Sequence, residues 1–124
     1  MNIKPPKLIA SFVLGPDGKP EKLESNNHNH YKLKLSVKDA PEDTYAVTYY
    51  LHPSYYDPVR EVSNKDVGFA EELTSYGDYE VQAKIRSQEY PLPVRRNLYE
   101  ALKESYGENS DPSILEALNE IKVN

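Results

Sequence analysis

The residues best suited to chemistry sit in one short run, His52-Pro53-Ser54-Tyr55. A histidine and a serine two apart can share a hydrogen bond across a tight turn. Two readings follow: a catalytic pair, or a hydrogen bond that stiffens the turn after a strand. Nucleophilic catalysis also needs an orienting acid and an oxyanion donor set. The chain has no G-x-S-x-G elbow and no second histidine near a carboxylate that would complete one, so no enzyme and no catalytic residue is expected. His28-Asn29-His30 could offer two metal ligands from one side of a strand, but no third ligand is evident, and a solvated loop is the expectation. No metal and no cofactor are expected. Arg60 is expected to pair with Glu61, Asp57 or a loop carbonyl. Arg95 and Arg96 form a two-residue basic spot, not a nucleic-acid footprint.

Aromatic usage is unusual, with eleven tyrosines, two phenylalanines and no tryptophan. Tyrosine suits half-buried pleated surfaces and keeps one end wet. That fits both a β core and a binding face. The 124 residues, 38% hydrophobic and 28% charged, argue for one domain able to bury a core. The absence of cysteine removes disulfides and thiolate sites and fits a reducing, cytoplasmic compartment. A net charge of −5 argues against nucleic acid held by bulk electrostatics. The longest apolar stretch, Leu8 to Leu14, is too short to span a membrane, and the opening MNIKPPK lacks the layout of a secretory signal.

These residues must be positioned by strands. Lys7 to Leu14 is short and apolar and ends in the turn Gly15-Pro16-Asp17-Gly18. Glu21 to Asn29 is too polar for core. Tyr31, Leu33, Leu35 and Val37 alternate with polar residues, as a half-buried strand does. Thr44 to His52 predicts a strand with Tyr45, Val47, Tyr49 and Leu51 on one face, stopped by Pro53 and Pro58. A short strand is expected around Val67 to Leu73, and a clean alternation runs through Tyr79, Val81, Ala83 and Ile85. Short strands separated by turns predict an antiparallel sandwich. Beyond the extended link Tyr90-Pro-Leu-Pro93, which has room for one more short strand, the spacing becomes helical over Val94 to Tyr106, with Gly107 placed as a cap. Asp111-Pro112 opens a second helix with the stripe Ile114, Leu115, Leu118, Ile121. The expected division is a β-sandwich over residues 1–93 and a C-terminal αα-hairpin over 94–124.

Residues 45–79 resemble the YEATS domain, and more closely its prokaryotic branch. The resemblance is carried by Val47-Thr-Tyr49-Tyr-Leu51-His52, Pro53-Ser54-Tyr55, Pro58-Val-Arg60, Phe69 and Tyr76-Gly77-Asp78-Tyr79, in the family's order. The family has glycine where this chain has Ser75, and many members have tryptophan where it has Tyr76. The resemblance implies a mainly β fold, an immunoglobulin-like antiparallel β-sandwich whose loops at one end form a recognition site. It implies that Tyr55 and Tyr76 are two aromatic walls, Ser54 a hydroxyl partner, His52 its support, and the Gly77 N–H a further donor. The implied ligand is an acylated lysine peptide or another small planar group, bound without catalysis. The alternative is an adaptor or scaffold of a bacterial sensing or defence system that binds a partner protein through its helical tail. Neither reading calls for nucleic acid or a membrane.

Overall fold

A computed structural model describes residues 5–25, 27–89, 92–108 and 111–124. The clean alternation over Tyr31–Val37 is the centre of the first sheet. This strand, β3 (His28–Lys38), pairs along one edge with β1 (Lys7–Phe12) and β2 (Lys22–Ser25), and along the other with β6 (Glu71–Ser75). The second sheet has the order β5 (Val59–Val62), β4 (Ala46–Tyr50), β7 (Glu80–Arg86), β8 (Val94–Asn97), and all its pairings are antiparallel.

Inward-facing residues of both sheets meet in one core, with Leu33, Leu35, Val47, Tyr49, Val81 and Ala83 essentially without exposure. Tyr49 keeps its hydroxyl satisfied inside this core by donating to the Phe69 carbonyl at 2.6 Å. Helices α1 (Leu98–Tyr106) and α2 (Pro112–Val123) bring their stripes to the same core through Leu98, Leu102, Ile114, Leu118 and Ile121. Asp111 caps α2, its Oδ1 accepting the Ser113 N–H at 2.9 Å. Truncating the fully buried Leu102 to alanine would cost about 2–5 kcal/mol.

Four local expectations are corrected. The strand expected at Val67–Leu73 begins only at Glu71, because Lys65–Val67 forms a 3₁₀ turn capped by Asn64. Gly68 and Phe69 then take positive φ values of 66° and 57°, which no extended strand allows. The polar segment before Tyr31 is not core, yet Lys22–Ser25 forms an exposed strand and β3 begins already at His28. Tyr45 is 70% exposed rather than inward, since β4 starts at Ala46. Val94–Asn97, expected as helix, pairs with β7 instead, and the helix begins at Leu98. Tyr90 and Pro91 of the expected link lie outside the described residues.

Candidate functional site

Chain ends of several elements converge at one end of the sandwich. After β4, the Leu51 N–H donates to the Pro58 carbonyl at 2.7 Å and closes an eight-residue loop, 51–58. Inside it the Ser54 N–H donates to His52 Nδ1 at 3.1 Å, and Ser54 Oγ lies 2.8 Å from the same nitrogen. A nitrogen that accepts a backbone N–H carries no proton itself, so the serine hydroxyl donates to it. The lone pairs of Oγ are then left for an incoming donor.

Tyr55 is held more firmly. Its hydroxyl donates to the Thr74 carbonyl at 2.6 Å and accepts from the Tyr79 hydroxyl at 3.0 Å. The Arg60 guanidinium lies 5.7 Å from the centre of its ring. That guanidinium also donates to the Asp57 and Glu72 carbonyls at 3.0 and 2.9 Å, so Arg60 ties the loop to β6. Burial raises the hydroxyls of Tyr55 and, more strongly, Tyr79 above the ordinary tyrosine value, and both remain protonated donors.

The turn from β6 to β7 carries Tyr76, Gly77 and Asp78. Tyr76 is 45% exposed, its ring stacked on His28 at 4.6 Å and set edge-on to His30 at 5.2 Å. The histidines expected in a solvated loop are thus strand residues packed against the Tyr76 ring. Their signal was the period of two that they share with the rest of β3. Among the described residues no cluster of three ligating side chains could hold a metal. His30 Nε2 is buried with no hydrogen-bond partner among them. Ser75 occupies the position of the family's glycine for a visible reason: its hydroxyl donates to the Gly77 carbonyl at 2.7 Å and accepts the Gly77 N–H at 3.3 Å. The donor that the resemblance assigns to a ligand is therefore engaged within the turn, by a long bond.

Together these residues enclose a cavity of about 490 Å³. His52, Ser54, Tyr55, Tyr76 and Gly77 all line it, joined by His30, the fully exposed Tyr56, Ser75, Asp78, Tyr79 and Asn124. Sequence reasoning missed His30, Tyr56, Thr74, Tyr79 and Asn124. Tyr79 lay within the quoted motif, whereas nothing local marks Asn124, which arrives from the far end of α2. A volume of this size lies within the usual range of small-molecule sites.

Comparison with known proteins bears on the fold and the family. The chain is similar to the crystal structure of the yeast AF-9 homolog protein Yaf9, with a TM-score of 0.50 and 21% identity over 75% of this chain and 65% of that one. It is also similar to a structure of the Yaf9 YEATS domain recognizing an H3K122suc peptide, with a TM-score of 0.53 and 15% identity over 90% of this chain and 87% of that one. These likenesses identify the sandwich as immunoglobulin-like, the expected fold class. No curated protein matches the chain by sequence. The prokaryotic YEATS domain family matches residues 29–98, which hold every strand of the second sheet, the His52–Ser54 pair, Tyr55 and Tyr76. With more than half of its length matched, this chain belongs to the prokaryotic YEATS domain family.

Proposed function

We propose that the protein is a non-enzymatic recognition module that binds an acyl-lysine-like amide in the cavity between Tyr55 and Tyr76. The observation that carries this reading is the convergence of His52, Ser54, Tyr55, Tyr76 and Gly77 on one 490 Å³ cavity from two separate loops. Acylation removes the lysine charge, so affinity must come from stacking and directed hydrogen bonds. The flat amide stacks on tyrosine rings, its N–H donates to Ser54 Oγ, and its carbonyl takes the Gly77 N–H in place of Ser75 Oγ. Each stacked contact is worth about 0.5–1.5 kcal/mol beyond its area, which suits micromolar affinity. A structure of the Yaf9 YEATS domain recognizing an H3K122suc peptide supports the ligand class by analogy of fold.

The helical hairpin does not offer the apolar face an adaptor would present. Ile114, Leu118 and Ile121 of its expected stripe are buried in the core, whereas Leu115, expected with them, is exposed and with Val123 makes up its exposed large apolar residues among those described. The compartment proposed is the cytoplasm, on the absence of cysteine. Among the described residues no helix is long and apolar enough to cross a membrane.

The test is an amide NMR titration with acetyl- and crotonyl-lysine peptides, run on the wild type and on Tyr76→Ala. Saturable shifts at Ser54, Tyr55 and Gly77, lost in the variant, are expected. No shift at millimolar ligand would sink the reading.

A further inference from the structure

The turn that carries Tyr76 rests on the helical hairpin at two points. Asp78 Oδ1 accepts the Tyr99 N–H in the first turn of α1 at 2.8 Å. Gly77 lies against the end of α2. A Cβ placed on Gly77 would stand 2.6 Å from the Asn124 carbonyl carbon, 3.0 Å from its oxygen and 3.3 Å from its Cβ. The obstacle is backbone, so no rotamer change relieves it. Turn geometry gives no other reason for glycine, since the positive-φ glycines are Gly18, Gly68 and Gly107. Close approach to α2 is what requires glycine at this position.

The end of α2 is fixed where it stands. Ala117 and Ile121 have no exposure. The Glu120 carboxylate accepts from Asn29 Nδ2 at 2.9 and 3.2 Å and from the Tyr31 hydroxyl. Alternation along β3 thus sends His28 and His30 to the Tyr76 ring and Asn29 and Tyr31 to Glu120. One strand supports both the aromatic wall and the helix beside it. Asn124 completes α2, its N–H and its Nδ2 both donating to the Glu120 carbonyl at 3.3 and 2.8 Å. It lines the 490 Å³ cavity and also one of about 560 Å³, and is the lining residue that the two share.

We infer that the last turn of α2 is part of the ligand site, and that Asn124 sets how long an acyl chain the site takes. The inference rests on the acyl-amide reading above and adds a specificity residue outside the family-matched segment. With Nδ2 held on the Glu120 carbonyl, the amide of Asn124 is a fixed polar group in the lining of both. An apolar tail that reaches it loses the amide its water and returns no hydrogen bond. The longer the acyl chain, the more of that cost it meets.

The experiment titrates acetyl-, butyryl- and hexanoyl-lysine peptides against the wild type, Asn124→Gly and Asn124→Ala. Val123→Ala serves as control, because Val123 is 68% exposed and lines neither cavity. Glycine is well tolerated at a helix C-terminus, and thermal melts check that each variant folds. Wild-type affinity is expected to fall with chain length. In both Asn124 variants hexanoyl should gain about tenfold relative to acetyl, the worth of burying roughly two more methylenes. Val123→Ala should keep the wild-type ranking. An unchanged ranking in both Asn124 variants overturns the inference and leaves the slot reading standing. A wild type that binds none of the peptides overturns that reading and the inference with it.

Discussion

Tyr79 donates its hydroxyl to that of Tyr55 across 3.0 Å, and Tyr55 in turn donates to the Thr74 carbonyl at 2.6 Å. The short chain of hydrogen bonds links the residue just before β7, the loop after β4 and β6, and fixes one of the two tyrosines proposed as walls. The other wall is held differently: Tyr76 rests on the rings of His28 and His30. The site therefore pairs a pinned tyrosine with a stacked one.

Tyr79→Phe removes one donor and leaves the Tyr55 bond to Thr74 in place. A single hydrogen bond of this kind is worth about 1 kcal/mol, and that is the loss expected in urea denaturation. Acyl-lysine affinity should fall a few-fold, because Tyr55 is then free to swing about its remaining bond. Unchanged affinity alongside lowered stability would show that the pair serves the fold alone.

Gly77→Ala should destabilise the chain by about 1–3 kcal/mol, the usual cost of forcing an extra methyl into a packed site. The added carbon would meet the Asn124 backbone at 2.6 Å, so truncating the Asn124 side chain should give no rescue. Thermal melts of Gly77→Ala with and without Asn124→Ala check this. Recovery in the double variant would mean that the side chain, not the backbone, is the obstacle.

The contrast between Gly77 and β3 shows what the sequence could reveal. Leu33, Leu35, Val81, Ala83 and Ile85 alternate with polar residues because one face of each strand is dry, and that pattern located the central strands. β2 has every residue exposed and β5 buries none of its four fully, so neither carries such a pattern. They are held by pairing to a neighbour, which leaves no mark in local hydrophobicity. Val94–Asn97 runs straight into α1, and its helix-compatible residues gave no boundary. The five expected site residues came from the family motif, and the structure brings them to one cavity. The contact between Gly77 and Asn124 was not, for it joins positions 47 residues apart with no matching side-chain chemistry.

Stability should depend on pH in opposite ways at the two extremes. The Ser87 hydroxyl holds Asp43 below its ordinary value of 3.8, Lys7 and then Arg96 hold Glu104 below 4.5, and Ser113 holds Asp111 below 3.8. A depressed carboxylate adds stability above its unfolded value and loses it as pH falls through the folded one. Urea midpoints should therefore be level down to about pH 5 and decline below about pH 4. All three groups are exposed, so the decline should be shallow and shrink with added salt. On the alkaline side burial raises Tyr49, Tyr55 and Tyr79 above 10.0. Their contribution is whole below that value and is lost as pH rises through the higher folded values. A midpoint that rises between pH 9 and 11 would contradict it.

Ser75→Ala separates stability from binding. The Ser75 hydroxyl is buried, donates to the Gly77 carbonyl at 2.7 Å and accepts the Gly77 N–H at 3.3 Å. Removing it leaves the Gly77 carbonyl without its donor, and stability should drop by about 1–2 kcal/mol. The same change frees the Gly77 N–H beside the cavity, where a ligand carbonyl can take it with no internal competitor. Acyl-lysine affinity should then rise about three- to tenfold, the worth of roughly one hydrogen bond that no longer has to be exchanged. Calorimetric titration of the two proteins at one temperature checks the direction. A variant that loses affinity in step with stability would mean that Ser75 shapes the turn for the ligand rather than competing with it.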